Sequence, residues 1–184
     1  MVEAPEPEAL LRGVRQARCI GCRAALEACV CDVLRPVAAP FTLYVRMHPN
    51  EAYRTTNTGY LAAKALGGRV RTDDATVPEG ALVLQPGGRP LEASDAGATL
   101  VVVDGAWRQA RRLSRRLLVR GHRAVGLPPG PPSRYVLRTG PTPAHLSTLE
   151  AVARACAAVG DAEASRALEA LHDAFVRRDQ EPTP

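Results

Sequence analysis

Lysine is almost absent: Lys64 is the single lysine among the 24 basic residues, and the rest are arginine. Beside abundant Ala and Pro this reads as coding bias, so arginine in place of lysine carries no functional weight. Aromatics make up only 4% of the 184 residues, which excludes an aromatic core and leaves Ala, Val and Leu to build it. No stretch approaches the ~18 consecutive apolar residues of a membrane span, so no membrane partner is expected. The opening Met-Val-Glu-Ala-Pro-Glu-Pro-Glu is acidic and proline-rich, the reverse of a signal peptide. A cytoplasmic location follows as the expectation, and there structural disulfides are rare.

The most informative absence is of negative charge. Between Gly105 and Leu149 there is no Asp or Glu, while Arg108, Arg111, Arg112, Arg115, Arg116, Arg120, Arg123, Arg134 and Arg138 all fall there. The whole chain carries a net charge of +5. A solvated helix face usually mixes signs. A one-sign field of this size suits a phosphate-rich partner, so a nucleic acid is expected.

With 46% hydrophobic residues the chain can bury a full core. Its patterning alternates strands with helices. Phe41–Met47, Ala81–Leu84, Thr99–Val103 and Ala124–Leu127 read as strands. Helices are expected over Glu8–Ala17, Asn57–Leu66, from Trp107 to a stop at Gly121, and over Thr148–Val159 and Ala162–Arg177. Residues 1–7 and 179–184 read as frayed tails. This order predicts an α/β fold with a mostly parallel sheet. Ligands of such sheets sit at the carboxyl ends of the strands. The loops expected there are Gln85–Gly88, Asp104-Gly105 and Pro128–Ser133.

Four thiols, Cys19-x-x-Cys22 and Cys29-x-Cys31, lie within thirteen residues. In a cytosolic chain the physical use of such a cluster is a tetrahedral zinc held by thiolates, structural because no ligand position stays open. Cys156 falls on the apolar side of a helix and reads as a small core residue. His48, His122, His145 and His172 show no metal-ligand spacing.

Asp104 closes a buried strand where the chain turns into a helix, a place that suits either a helix cap or a reactive acid. Trp107, taken by itself, reads as a core anchor. Glu51-Ala-Tyr-Arg-Thr-Thr-Asn57-Thr58-Gly59 is a polar loop entering a helix, and Ser147-Thr148-Leu149-Glu150 has the spacing of a capping box.

Taken in order, Cys-x-x-Cys…Cys-x-Cys, Glu51…Thr56-Asn57-Thr58-Gly59, Asp104-x-x-Trp107, Tyr135-Val-Leu137-Arg138 and Ser147-Thr148-x-Glu150-Ala resemble the DTW-domain proteins. These are tRNA-uridine aminocarboxypropyltransferases, and the resemblance runs from about Cys19 to the final helix. One position departs: Ala106 stands where the family's Asp-x-Thr-Trp has threonine. The resemblance implies a SPOUT-like sheet with a C-terminal knot that holds S-adenosylmethionine. It divides the chain into an N-terminal helix with the four-cysteine zinc segment (1–35) and a catalytic domain (36–184). It implies transfer of the 3-amino-3-carboxypropyl group to N3 of a uridine in tRNA, with no obligate protein partner. Asp104 and Trp107 would then be catalytic. Asn57 and Thr58 would bind the base or the amino-acid part of S-adenosylmethionine. Arg138 would pair with its carboxylate, and Gln85, Pro86, Gly87, Leu127 and Thr148 would line the adenosine pocket. Arg108, Arg111, Arg112 and Arg115 would hold the tRNA backbone. Three other readings fit the same pattern: a SPOUT-like RNA methyltransferase, aminocarboxypropyl transfer to ribosomal RNA, and a non-catalytic zinc-containing RNA-binding module.

The charge distribution gives a direct test. Replacing Arg111, Arg112 and Arg115 together with Glu is expected to weaken tRNA binding and flatten its salt dependence. S-adenosylmethionine affinity should hardly move. Unchanged tRNA affinity at physiological salt would reduce this helix to a solvated face.

Overall fold

Four of the five strands arise where apolar and β-branched residues run together. In the computed structural model, which describes residues 17–74, 76–138 and 145–181, they are β1 (Thr42–Met47), β3 (Leu82–Pro90), β4 (Thr99–Asp104) and β5 (Arg123–Gly126). Between β1 and β3 lies a three-residue edge strand, β2 (Arg69–Arg71), which the sequence pattern does not reveal. Its single apolar side chain, Val70, is flanked by exposed arginines. That composition protects a sheet edge from pairing with other chains. The sheet order is β2-β1-β4-β3-β5 and every pairing is parallel.

Helices cover both faces. α1 (Gly59–Ala65), α3 (Thr148–Ala158) and α4 (Ala162–Gln180) lie on one side and α2 (Trp107–Val119) on the other. Strand alternation sorts the side chains accordingly. Leu43, Val45, Leu100 and Val102 join Leu61, Leu149, Val152, Leu168 and Phe175 in the main core. Tyr44, Val83 and Val101 face Leu117 of α2 in a smaller one. Cys156 is fully buried in the main core, as its helical position suggests. Cys22, Ala24 and Val30 belong to the same core, so the cysteine segment packs directly on the sheet's helical layer.

Two expectations need correction, and one lies outside the described residues. The Gln85–Gly88 loop is an excursion within β3: Leu84 and Arg89 are both set against Val125 of β5. Gly88 permits this, because a Cβ there would lie 2.4 Å from the Val125 carbonyl carbon. Residues 179–180 are helical, the last turn of α4. They are held because Arg178 of that turn pairs with Asp32 at 2.5 and 2.7 Å and donates to the Cys29 carbonyl. The helix expected over Glu8–Ala17 falls outside the described residues for all but Ala17. No described helix is long and apolar enough to cross a membrane.

Candidate functional site

Period-two alternation carries Asp104, the last residue of β4, onto the face shared by Leu100 and Val102, beneath α1 and α3. The carboxylate is 6% exposed. Its Oδ2 accepts from Asn57 Nδ2 at 2.5 Å, and its Oδ1 accepts from the Thr148 hydroxyl at 2.8 Å. Asn57 is itself oriented, since its Oδ1 accepts from the Tyr60 amide at 2.9 Å. α1 must begin with glycine here: a Cβ on Gly59 would sit 2.6 Å from Asp104 Oδ2. Burial pushes the Asp104 carboxyl above its ordinary pKa, and the two hydrogen bonds only partly oppose it. Glu51 adds to the rise, whereas Arg138 counters it.

Asp104 is not the cap of α2. That helix is capped at Ala106, whose amide donates to Gln109 Oε1 at 3.0 Å. A threonine at 106 would therefore occupy the N-cap, a position where a hydroxyl stabilises by ~1 kcal/mol. The Ala106 departure removes a capping oxygen and leaves the Asp104 carboxylate untouched.

The polar loop before α1 is pinned from a distant part of the chain. Glu51, 1% exposed, accepts from Arg138 at 2.7 Å and pairs with Arg54 at 3.2 Å. The Thr56 carbonyl accepts from the Tyr135 hydroxyl at 2.6 Å and from Arg138 at 3.4 Å. Burial raises the Tyr135 pKa, so this phenol stays protonated as the donor. Thr58 is buried, and its hydroxyl accepts from the Leu149 amide at 3.4 Å. Behind these groups the capping box of α3 forms as its spacing predicts: Ser147 Oγ accepts from the Glu150 amide, and Glu150 accepts from the Ser147 amide at 2.7 Å. Glu150 also accepts from the Ser133 hydroxyl and the Arg134 amide, both at 2.7 Å, which ties the proline-rich loop to α3.

The other candidates are arranged around this centre. Trp107 is half-buried, with His145 edge-on at 3.7 Å between ring centroids, so it is not a core anchor. Arg108, Arg111, Arg112 and Arg115 are all exposed. At about 100° per residue they share one face of α2, opposite the buried Leu113 and Leu117. The next arginine, Arg116, is bound instead to Asp74 at 3.0 Å. Gln85, Pro86 and Gly87 lie in the excursion inside β3, directly after Leu84, which pairs with Val102 two residues before Asp104, and Leu127 follows the last residue of β5. At Gly87 an added Cβ would meet nothing within 4 Å. Thr148, expected in the adenosine pocket, donates to Asp104.

Two groups at the centre carry no role in the sequence reading. Glu51 stands in a quoted motif, but its partner Arg138 is 87 residues away. Tyr135 likewise reaches Thr56 across 79 residues. The motifs that contain Glu51 and Tyr135 are visible in the sequence; the burial of Glu51 and the contacts between the two segments are not.

Cys19, Cys22, Cys29 and Cys31 do converge, with all four sulfurs within 4.8 Å of one another. The Cys19–Cys31 and Cys22–Cys29 sulfurs are 3.4 and 3.7 Å apart. A tetrahedral thiolate site with bonds of ~2.3 Å has edges of about 3.8 Å, so the donor set can hold one metal ion. The segment also braces the loop described above. Arg18 donates to the Ala52 carbonyl at 3.1 Å, and Arg23 lies 4.8 Å above the Tyr60 ring.

The DTW domain model matches residues 16–180. The tRNA-uridine aminocarboxypropyltransferase 2 of Mus musculus is 31% identical over 170 residues, covering 79% of this chain and 55% of the mouse protein. The protein of the same name from Drosophila melanogaster is 30% identical over 178 residues, covering 79% of this chain and 67% of the fly protein. The chain thus spans about half the length of the mouse relative. Among solved structures, the SAM-dependent rRNA:acp-transferase Tsr3 from Vulcanisaeta distributa shares the fold. Its TM-score is 0.55 at 22% identity, with 77% of this chain and 79% of that chain covered.

The sulfur geometry has a measurable consequence. Protein purified without added metal is expected to retain about one equivalent of metal per chain, and Cys22→Ser to lose it with a lower melting temperature. Metal-free protein, with Cys22→Ser as stable as the parent, would refute the site.

Proposed function

The chain belongs to the DTW domain family, and from that premise we propose that it transfers the 3-amino-3-carboxypropyl group of S-adenosylmethionine to N3 of a uridine in tRNA. The observation that carries this reading is the buried Asp104 carboxyl, held by Asn57 and Thr148 at the carboxyl edge of the parallel sheet. The sulfonium of S-adenosylmethionine activates the carbon beside it. The protein has then to align the nucleophile and remove a proton. Asp104 takes the imide proton from N3. The N3 lone pair forms the new bond to the side-chain carbon, and the electrons of the broken carbon–sulfur bond leave on methylthioadenosine. Burial makes Asp104 a stronger base than an exposed carboxylate.

Asn57 and Thr148 hold that carboxylate in place, and Thr58 keeps the start of α1 against α3. Trp107, half-buried, offers a ring face for the uracil. Arg138 receives the carboxylate of the transferred group. Its Nε is buried without a hydrogen-bond partner among the described residues, while its Nη atoms are held by Glu51 and Thr56. Gln85, Pro86, Gly87 and Leu127 form the adenosine side of the pocket, where the open space at Gly87 leaves room for a ligand. The α2 arginines hold the tRNA backbone, and the four cysteines hold a structural zinc. The reading includes the SPOUT-like knot. Hydrogen bonds that tie residues 133–138 back to the loop before α1 and to α3 support such a return path. The enzyme would act in the cytosol, with tRNA as its macromolecular partner.

Two samples of S-adenosylmethionine test this, one labelled in the carboxyl carbon and one in the methyl carbon, each incubated with unmodified tRNA. Only the carboxyl label is expected in RNA, with release of methylthioadenosine. Methyl label in RNA would make the protein a methyltransferase, and label from neither sample would make it a binding module.

Asp104→Asn separates base from scaffold. It should fold and bind S-adenosylmethionine, yet lose ~10²–10⁴ in rate. The parent needs Asp104 ionised, so its kcat/KM should fall with decreasing pH. The apparent pKa of that fall should lie above the ordinary value of about 3.9. A fully active Asp104→Asn enzyme would leave Asp104 a purely structural role.

A further inference from the structure

Tyr53, in the loop between Glu51 and Asn57, takes no part in the transfer chemistry. Tyr53 is 64% exposed. In a chain with one Trp, four Tyr and two Phe this is unusual, since Phe41, Tyr44 and Phe175 are buried and Tyr60, Trp107 and Tyr135 partly so. An isolated exposed apolar residue is ordinary on a protein surface. The setting of this one is not.

The backbone on both sides of Tyr53 is fixed. The preceding carbonyl, Ala52 O, accepts from Arg18 at 3.1 Å, and the Ala52 amide donates to Pro49 O at 3.2 Å. The Arg54 amide donates to Glu51 O at 3.1 Å, and the Asn57 amide to Arg54 O at 3.2 Å. Tyr135 and Arg138 hold Thr56 O, while Glu51 and Asn57 are locked to Arg138 and Asp104. A flat ring therefore projects into solvent from a loop whose two ends are bonded to the reacting centre. Little order would be lost when a ligand covers it. Next to it Arg54, 54% exposed, is oriented through Nε by Glu51 and supplies positive charge. An exposed aromatic on a fixed backbone, beside an arginine oriented by Glu51, is the chemistry that captures an unpaired nucleobase and its phosphate.

We propose that Tyr53 is a stacking platform for an unpaired base flanking the uridine that enters the site. This rests on RNA being the substrate, and it narrows that substrate to a uridine presented in a single-stranded loop. A base within a continuous helix keeps both faces against its neighbours and offers none to Tyr53.

The test uses unmodified tRNA transcripts and a short uridine-containing oligonucleotide, single-stranded or annealed to its complement. Tyr53→Leu keeps apolar bulk without a π face, and Tyr53→Phe keeps the ring. Tyr53→Leu is expected to raise the Kd for tRNA and for the single strand about tenfold. It should raise the KM for tRNA similarly, with a smaller fall in kcat. Tyr53→Phe should restore binding to near the parent's. Duplex binding should be weak and insensitive to either change. The melting temperature and S-adenosylmethionine affinity report on the fold and the other half of the site, and should stay at the parent's values. Tyr53→Leu binding single strands as tightly as the parent, or losing single-strand and duplex binding equally, would overturn the proposal. Those outcomes are independent of the transfer reaction. A parent enzyme that transfers the group while Tyr53→Leu binds normally refutes only the platform. A parent that transfers nothing, yet binds single strands through Tyr53, refutes only the proposed activity.

Discussion

A carboxylate withdrawn from water is costly unless hydrogen bonds replace the lost hydration, and Asp104 shows how that constraint organises this fold. Its two oxygens need donors from outside their own strand. Asn57 supplies one from the loop before α1, and Thr148 supplies the other from the first residue of α3. Gly59 has to be glycine for α1 to come this near. One side chain thus fixes where two helices start relative to the end of β4. The same burial that requires these partners raises the proton affinity of the carboxyl. Structural cost and chemical capability have a single origin.

Around that centre a second set of buried acids plays a different part. Glu51 and Glu150 are both satisfied, but by groups that bind segments together. Glu51 takes Arg138 and Arg54; Glu150 takes Ser133, Arg134 and the α3 N-terminus. Removing one partner of such a set leaves a buried charge uncompensated, which is more damaging than losing the bond alone. His172, 1% exposed with its Nε2 3.8 Å from Glu150, closes this layer from the α4 side. Asp104 is therefore distinguished from the other acids by its setting. At Asp104 burial outweighs the Thr148 and Asn57 hydrogen bonds and raises the proton affinity, whereas at Glu150 burial is outweighed by the Ser133 hydroxyl, the backbone amides and His172.

The cysteine segment and the arginine face act at longer range. The segment is joined to the site loop through Arg18 and to α4 through Arg178. A metal that fixes four sulfurs would thereby steady a loop with which it has no direct contact. The arginine face of α2 begins just after the Asp104 strand end, because the helix starts at Trp107. Its charges lead away from the site along one surface, a geometry suited to a long polyanion.

Much of this was legible in the sequence. Apolar runs gave the four long strands, 3.6-residue periodicity gave α1 to α4, and the paired cysteine spacings gave a cluster that does converge. These are local properties, set by alternation, by capping residues and by thiols close in the chain. The acid-free stretch likewise announced a basic face. What only the tertiary structure decided was pairing over distance. The sequence could not choose between Asp104 as helix cap and Asp104 as buried acid, because the answer lies in Asn57 and Thr148, 47 and 44 residues away. Nor could it join Arg138 to Glu51, extend β3 through a proline-glycine stretch, or find β2, whose single apolar residue gives no periodic signal. Local pattern records which face a residue prefers; the partner it meets there depends on how the whole sheet and its helical layers close.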